Sequence, residues 1–201
     1  NNVLAHVPNL TDFCSGMQNL LDPKGIITIE VPHILNMLKY NLFDTIYHEH
    51  FSYFSLTTLQ KVMKNSKLKI FDCEKLVTHG GSLRVYCCHT SNNIQKTQRL
   101  FEILKDEENF KLDNIKTYTN FQLNIDKCKD DFLKFINKKI SEGSKIVGYG
   151  AAAKGNTFLN YCNINYTHIK EIYDNSVSKQ NKFFPGTHIP IVSPSKLHVT
   201  K

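Results

Sequence analysis

The segment 145–174 constrains the fold more tightly than any other part of this sequence. Lys145-Ile146-Val147-Gly148-Tyr149-Gly150 reads as a short apolar strand that ends on glycines, Ala151-Ala152-Ala153-Lys154-Gly155-Asn156-Thr157 continues as a helix, and residues 169–173 form a second short strand closed by Asp174. Strand, glycine turn, helix and strand-end acid together make a nucleotide-binding half fold, so the chain is of the α/β class. Gly148-x-Gly150-x-x-Ala153 carries alanine where the third glycine often stands, and it is not a P-loop because the lysine precedes the glycine. Alone, such a turn is a weak ligand signal. Lys154 near the helix start adds a cation for phosphate, and Asp174, about 20 residues on, adds an acceptor for a ribose or sugar hydroxyl.

Upstream, the hydrophobic period changes several times. Thr11 is placed to cap a helix with Phe13, Met17, Leu20 and Leu21 on one side, Pro23-Lys24-Gly25 makes a turn, and the β-branched run 26–31 reads as a buried strand ended by Pro32. That order is expected to be a further α/β unit. Ser55 is placed to cap an amphipathic helix with Leu56, Leu59, Val62 and Met63 facing inward. Segments 68–74 and 82–89 flank Thr78-His79-Gly80-Gly81 and read as an antiparallel pair at a sheet edge. Residues 92–142 are helical in pattern, with Leu100, Phe101, Ile103 and Leu104, then Ile125, Cys128, Phe132, Phe135 and Ile136, and Gly143 as the stop. The expected division is 1–91, a helical connector 92–143, and a partial domain 144–201.

A chain of 201 residues with 41% hydrophobic content can bury a sizeable core. No apolar run approaches the roughly 20 residues that cross a bilayer, and no basic, apolar, small-residue signal opens the chain, so a cytoplasmic location without a membrane partner is expected. The six cysteines show no CxxC pair or metal spacing and are expected as reduced core thiols. The net charge of +7 does not imply nucleic acid, because only two of the 25 basic residues are arginine and the lysines are scattered.

Residues 47–50, Tyr-His-Glu-His, crowd a phenol, two imidazoles and a carboxylate between Phe43-Asp44-Thr45-Ile46 and Phe51-Ser52-Tyr53-Phe54. Each of these groups must be hydrogen-bonded or solvated when packed among aromatics, and such density points to acid–base chemistry or to a metal. In an extended segment His48 and His50 share one face while Tyr47 and Glu49 share the other. Convergence therefore requires a turn, and a loop is expected, with His48 structural. The HExxH helical spacing is absent, so no metal is expected here. Arg84, on the strand beside Gly80 and Gly81, can anchor a sugar or pyrophosphate oxygen through its planar fork, or lie in a surface ion pair. The two glycines serve a hairpin turn or face a pocket.

With these residues in view the chain resembles the sugar C-methyltransferases, which use S-adenosylmethionine to methylate a carbon of a nucleotide-linked keto-deoxysugar. The resemblance rests on Asn2-Val3-Leu4-Ala5-His6-Val7-Pro8, on residues 43–53, on His79-Gly80-Gly81-Ser82-Leu83-Arg84, on residues 148–157 and on Pro185-Gly186-Thr187-His188-Ile189-Pro190-Ile191, five motifs in order across nearly the whole chain. It implies the C-terminal part of a Rossmann-like methyltransferase fold, a helical linker and a partial second Rossmann-like domain. It also implies that the family's zinc-binding region and most of the S-adenosylmethionine site lie in an upstream half of the same enzyme, outside this chain. Asn181 stands where that family usually carries glycine.

The chemistry so implied is removal of a proton beside a ketone, followed by attack of the enolate on a sulfonium methyl group. By resemblance His50 is the base, since imidazole ordinarily titrates near neutrality. Tyr47 donates to the enolate oxygen, Glu49 positions an imidazole or a sugar hydroxyl, and His6 lines the same pocket. Asn2 is the cofactor-side contact. The nucleotide-linked sugar is assigned Arg84, Gly148, Tyr149, Gly150, Ala151, Lys154, Asn156, Thr157, Asp174, Lys179 and His188. Two other readings are a non-catalytic remnant that only binds a nucleotide sugar, and an NAD-dependent oxidoreductase, which leaves residues 47–50 unexplained.

Overall fold

The computed structural model describes residues 1–197, and the expected domain end at Lys201 lies outside them. The chain forms two compact units, one of residues 1–42 and 48–121, the other of residues 43–47 and 122 onward. Both mix helix and strand. No helix among the described residues is long and apolar enough to cross a membrane.

The first unit is built on a three-stranded antiparallel sheet in the order β1-β3-β2, with β1 at Ile27–Pro32, β2 at Leu68–Leu76 and β3 at Ser82–His89. The run 26–31 therefore joins the hairpin rather than opening a separate α/β unit, and β3, expected near an edge, is central. Register places Glu30, Arg84 and Glu74 side by side across the three strands. A register shift between Ile70 and Asp72 makes Phe71 an extra residue in β2, and its carbonyl accepts from Thr97 N–H at 2.9 Å, where the chain enters α4. Cys87 and Cys88 point to opposite faces of β3 and are both fully buried, so both faces are covered there.

The helices of this unit are α1 (Leu10–Leu20), α2 (Ile34–Lys39), α3 (Leu56–Asn65) and α4 (Gln98–Asn109). Helix α1 is capped by Asn9, whose side chain accepts from Asp12 N–H, and not by Thr11, which lies inside the first turn. Phe13, Met17 and Leu21 recur every four residues and pack on the core, which rotates Leu20 outward to 90% exposure. Helix α3 has the expected Ser55 cap, completed as a capping box by Thr58, and buries Leu56, Leu59 and Met63. Helix α4 buries Leu100 and Ile103 in the same core, so residues from 92 onward are not a free connector.

Helix α5 (Ile115–Ser141) begins in the first unit and continues in the second. Its end is a Schellman motif: Gly143, at φ +82°, donates to Ile140 O and Ser144 donates to Lys139 O. The second unit then forms three two-residue parallel strands in the order β4-β5-β6, Gly148–Tyr149, Ile172–Tyr173 and Ile191–Val192, with α6 (Ala153–Tyr161) crossing from β4 to β5. Its core gathers Ile136, Leu159, Ile164, Ile172 and Ile189. Cys128 and Phe135 face outward from α5 instead of joining that core. Asn181 takes a φ of +61°, a left-handed conformation that asparagine tolerates among non-glycine residues, and its N–H reaches Ile191 O at 2.9 Å.

Candidate active site

Residues 47–49 bend and turn, as the alternation of their side chains required. The loop is pinned in the first unit by one residue: Phe51 and Ser52 both donate their N–H to the carbonyl of Ala5, at 2.9 and 3.2 Å. Leu4 and Ala5 are buried in the core and give that carbonyl a fixed place. His6 closes the arrangement, with Nδ1 2.7 Å from the carbonyl oxygen of Glu49. A carbonyl can only accept, so Nδ1 of His6 carries the proton and Nε2 of the neutral ring is left with its lone pair.

The His6 and His50 rings lie with centroids 4.8 Å apart at 50°, and Tyr53 stands edge-on to His50 at 5.8 Å. His50 is half-buried, whereas His48 and Glu49 are exposed. Tyr47 belongs to the second unit and His48 to the first. Asn2 is exposed at φ +56°, and its N–H donates to Glu30 O at 2.9 Å along β1.

Arg84 is held on the sheet. Its Nη2 lies 3.0 Å from Glu30 Oε2 and its Nη1 3.3 Å from Glu74 Oε1, which also accepts from the Tyr86 hydroxyl at 2.6 Å. Both carboxylates come from the neighbouring strands by register, and the hydrogen bond that Arg84 donates to Glu30 is the main reason that the guanidinium is pushed further up from its ordinary value. This is the ion-pair alternative, with the fork occupied.

The second unit brings the glycine-turn residues together. Gly148 passes under Ile172, whose Cγ1 would stand 3.0 Å from a Cβ at that position, and Gly150 turns at φ +94° with its N–H on Tyr173 O at 2.7 Å. Asp174 braces the turn through Oδ2, which accepts from Ala151 N–H at 2.6 Å, while Oδ1 accepts from Ser176 N–H at 2.7 Å two residues further along the chain. These two bonds, Ser176 foremost, with Lys179 nearby, hold its carboxyl below the usual range. Lys179 donates to Ala151 O at 2.8 Å.

A cavity of about 380 Å³ opens beside this turn, with Asp44, Tyr149 and Lys154 among its polar lining and Phe132, Phe158 and Ile172 among its apolar walls. The N-cap of α6, Ala152, makes no side-chain cap. Asn156 and Thr157 look inward to their own helix, toward Asn160 and Ala153 O. His188 takes a φ of +55°, and its N–H donates at 3.0 Å to the carbonyl of Phe184, a residue that lines the cavity. Its loop is docked on Asn160, which binds Pro185 O at 3.0 Å, about six residues or roughly 9 Å of helix rise beyond Lys154.

Sequence reasoning passed over a buried pair in the first unit. Glu107 Oε1 accepts from His33 Nε2 at 2.8 Å and from Leu56 N–H at 2.5 Å, while Oε2 accepts from Thr57 N–H at 2.9 Å and from Thr57 Oγ1 at 2.7 Å. Burial raises this carboxyl, but the four donors outweigh burial and hold it below its ordinary value. Its signal was present: Leu100, Ile103, Leu104 and Glu107 fall at i, i+3, i+4 and i+7, an acid on the inward stripe of an amphipathic helix.

Residues 77–201 match the family described as the C-methyltransferase C-terminal domain. A curated relative, C-methyltransferase NovU of Streptomyces niveus, is 33% identical over 192 residues, which is 96% of this chain and 46% of the relative. The chain thus spans less than half the length of that relative. With more than half of its residues matched, the protein belongs to the family defined by the C-methyltransferase C-terminal domain.

Proposed function

We propose that this chain is the C-terminal portion of an S-adenosylmethionine-dependent C-methyltransferase that acts on a nucleotide-linked keto-deoxysugar. The observation that carries the reading is the imidazole pair of His6, next to Ala5, and His50, on the loop that the carbonyl of Ala5 pins. The parallel β4-α6-β5 crossover with its cavity supports a Rossmann-like sugar-nucleotide unit. Six free cysteines fit a cytoplasmic enzyme.

His50 takes the proton from the carbon beside the ketone. Its ring is held between His6 and Tyr53, so the base is oriented before substrate arrives. His6 has a fixed tautomer, and its bare Nε2 presents an acceptor beside His50. Tyr47 donates its hydroxyl proton to the enolate oxygen in a hydrogen bond that strengthens as negative charge develops. S-adenosylmethionine, when bound, supplies the methyl group. Asn2 is this chain's candidate contact to it. The cofactor's remaining contacts are assigned to an upstream half of the same enzyme, as is the family's zinc. Among the described residues no group of three His, Cys, Asp or Glu is arranged to hold a metal.

In the complete enzyme His50→Ala lowers methyl transfer by about 10²- to 10⁴-fold, the usual worth of a general base, with cofactor affinity unchanged. Turnover within threefold of wild type removes His50 as the base. Calorimetry on this chain should show binding of a nucleoside diphosphate sugar, and binding of neither sugar nor cofactor would sink the assignment of the cavity.

A further inference from the structure

Asp44 belongs to the second unit although it lies far from that unit in sequence. It occupies a single 3-10 turn, Phe43–Thr45, whose Phe43 ring packs 5.8 Å from Phe158 and 5.0 Å from Tyr161 of α6. Phe43 and Thr45 are buried on either side of it. Asp44 itself is half-buried, lines the cavity beside the glycine turn, and makes no hydrogen bond or ion pair with any described residue. Lys154 lines the same cavity, is also half-buried, and likewise has no ion pair among the described residues.

Two opposite charges therefore face one cavity without neutralising each other or any neighbour. Partly desolvated charges are retained at a cost that a ligand offsets if it supplies both partners. A simple anion would suit Lys154 and be repelled by Asp44. A simple cation would meet the reverse. A ligand with a diphosphate at one end and hydroxyl donors at the other satisfies both, and the exposed ring of Tyr149, 65% accessible, gives it an apolar face to lie on.

We propose that Asp44 is a specificity-determining, substrate-contacting residue that accepts hydrogen bonds from sugar-ring hydroxyls of a nucleoside diphosphate sugar, whose phosphates lie toward Lys154 and the start of α6. The proposal rests on the nucleotide-sugar reading above. Asp174 already accepts from Ala151 N–H with one oxygen and from Ser176 N–H with the other, whereas Asp44 accepts from no described residue. Because Asp44 and Tyr47 share one five-residue segment of the same unit, engagement of Asp44 also seats the segment that carries Tyr47.

The test is calorimetric titration of wild-type chain and Asp44→Asn with uridine and thymidine diphosphate glucose, with the two free diphosphates, and with inorganic pyrophosphate. Asparagine keeps the shape but loses the charge and one acceptor, so the sugar conjugates should bind about tenfold more weakly, as for weakened charge-assisted hydrogen bonds. Pyrophosphate affinity should hold or rise, because a negative charge has been removed. A loss shared by the free diphosphates assigns the hydroxyls to the pentose, and a loss confined to the conjugates assigns them to the hexose. If wild type binds the conjugates and Asp44→Asn binds them equally or more tightly, with matching melting curves, the role of Asp44 is overturned while the cavity assignment stands. If wild-type chain binds neither conjugate, both fall.

Discussion

Replacing Glu107 by glutamine tests whether a buried carboxylate ties together the elements that follow the loop 47–54. Helix α3 starts immediately after that loop, with Ser55 as its cap. Its first amides are divided between two side chains: Leu56 and Thr57 N–H go to Glu107, and Thr58 N–H goes to Ser55 Oγ at 3.0 Å. With Ser55 N–H donating to Thr58 Oγ1 at 3.0 Å, all four amides left open at the helix start are satisfied, and the negative charge sits at the favourable end of the helix dipole. The same carboxylate holds His33, whose own N–H donates to Gly81 O at 3.0 Å, so strand end, hairpin turn, α3 and α4 meet at one group.

Each Glu107 oxygen receives two donors, so a carboxamide must present its NH₂ to one pair. With the NH₂ at the Oε2 position Thr57 Oγ1 can turn to accept, but the Thr57 N–H bond is lost and that donor then faces a donor. Hydrogen bonds to a charged group contribute about 1.5–3 kcal/mol each, and a buried donor left unsatisfied costs a further ~1–3 kcal/mol, so Glu107→Gln should destabilise by about 4 kcal/mol. For a chain of this size that lowers Tm by roughly 10 °C. Glu107 is held below its ordinary value in the folded state. Its contribution is therefore complete above the unfolded carboxyl value of about 4.3 and is lost as pH falls through the folded value. The gap between wild type and variant should be widest at pH 7 and close below about pH 4. The chain has no tryptophan, so urea denaturation is followed by far-ultraviolet circular dichroism. A gap under 1 kcal/mol at pH 7, or one that persists undiminished in acid, would refute the reasoning.

Two further outcomes follow from the packing. Gly81→Ala places a Cβ 1.9 Å from Asn36 Nδ2 at a φ of +117°, so even after Asn36 moves the backbone strain remains. A cost of about 1–3 kcal/mol is expected in the same denaturation assay, and a neutral result would show that the hairpin turn can re-form in another conformation. Among the cysteines, Cys128 is exposed while the other five are buried, with burial pushing Cys73 up to about 12 and Cys162 up to about 11. Native protein should take up one equivalent of maleimide quickly and six in denaturant, and a second fast equivalent read by mass spectrometry would contradict this burial.

Much of the fold was legible because its signals are local. Ser55 and Gly143 announce their helix ends through side-chain and backbone chemistry confined to one turn, and the glycine turn at 148–150 leads into the helix its composition requires. What could not be read depends on partners distant in sequence. The position of β3 between β1 and β2 is set by pairing across more than fifty residues, and that register is what fills the fork of Arg84 with Glu30 and Glu74. The division at 92 and 143 failed for the same reason, since α4 looks like any amphipathic connector until its stripe is found in the sheet core.

The site shows the same limit in sharper form. A strand-end acid after a glycine turn is a good sign of a hydroxyl-binding residue, yet in this chain one oxygen of Asp174 accepts from Ala151 N–H of the turn and the other from Ser176 N–H just beyond it. The acid left open is Asp44, more than a hundred residues earlier, delivered to α6 by the aromatic anchor Phe43. Its neighbour three positions on, Tyr47, begins the Tyr-His-Glu-His cluster. One short segment therefore joins the residue proposed to recognise the sugar to the residue proposed to stabilise its enolate. That link follows from chain continuity, so shortening or lengthening the spacer Thr45-Ile46 by one residue should lower methyl transfer in the complete enzyme while sugar binding at Asp44 persists. Equal losses of both would mean that the segment acts only as packing.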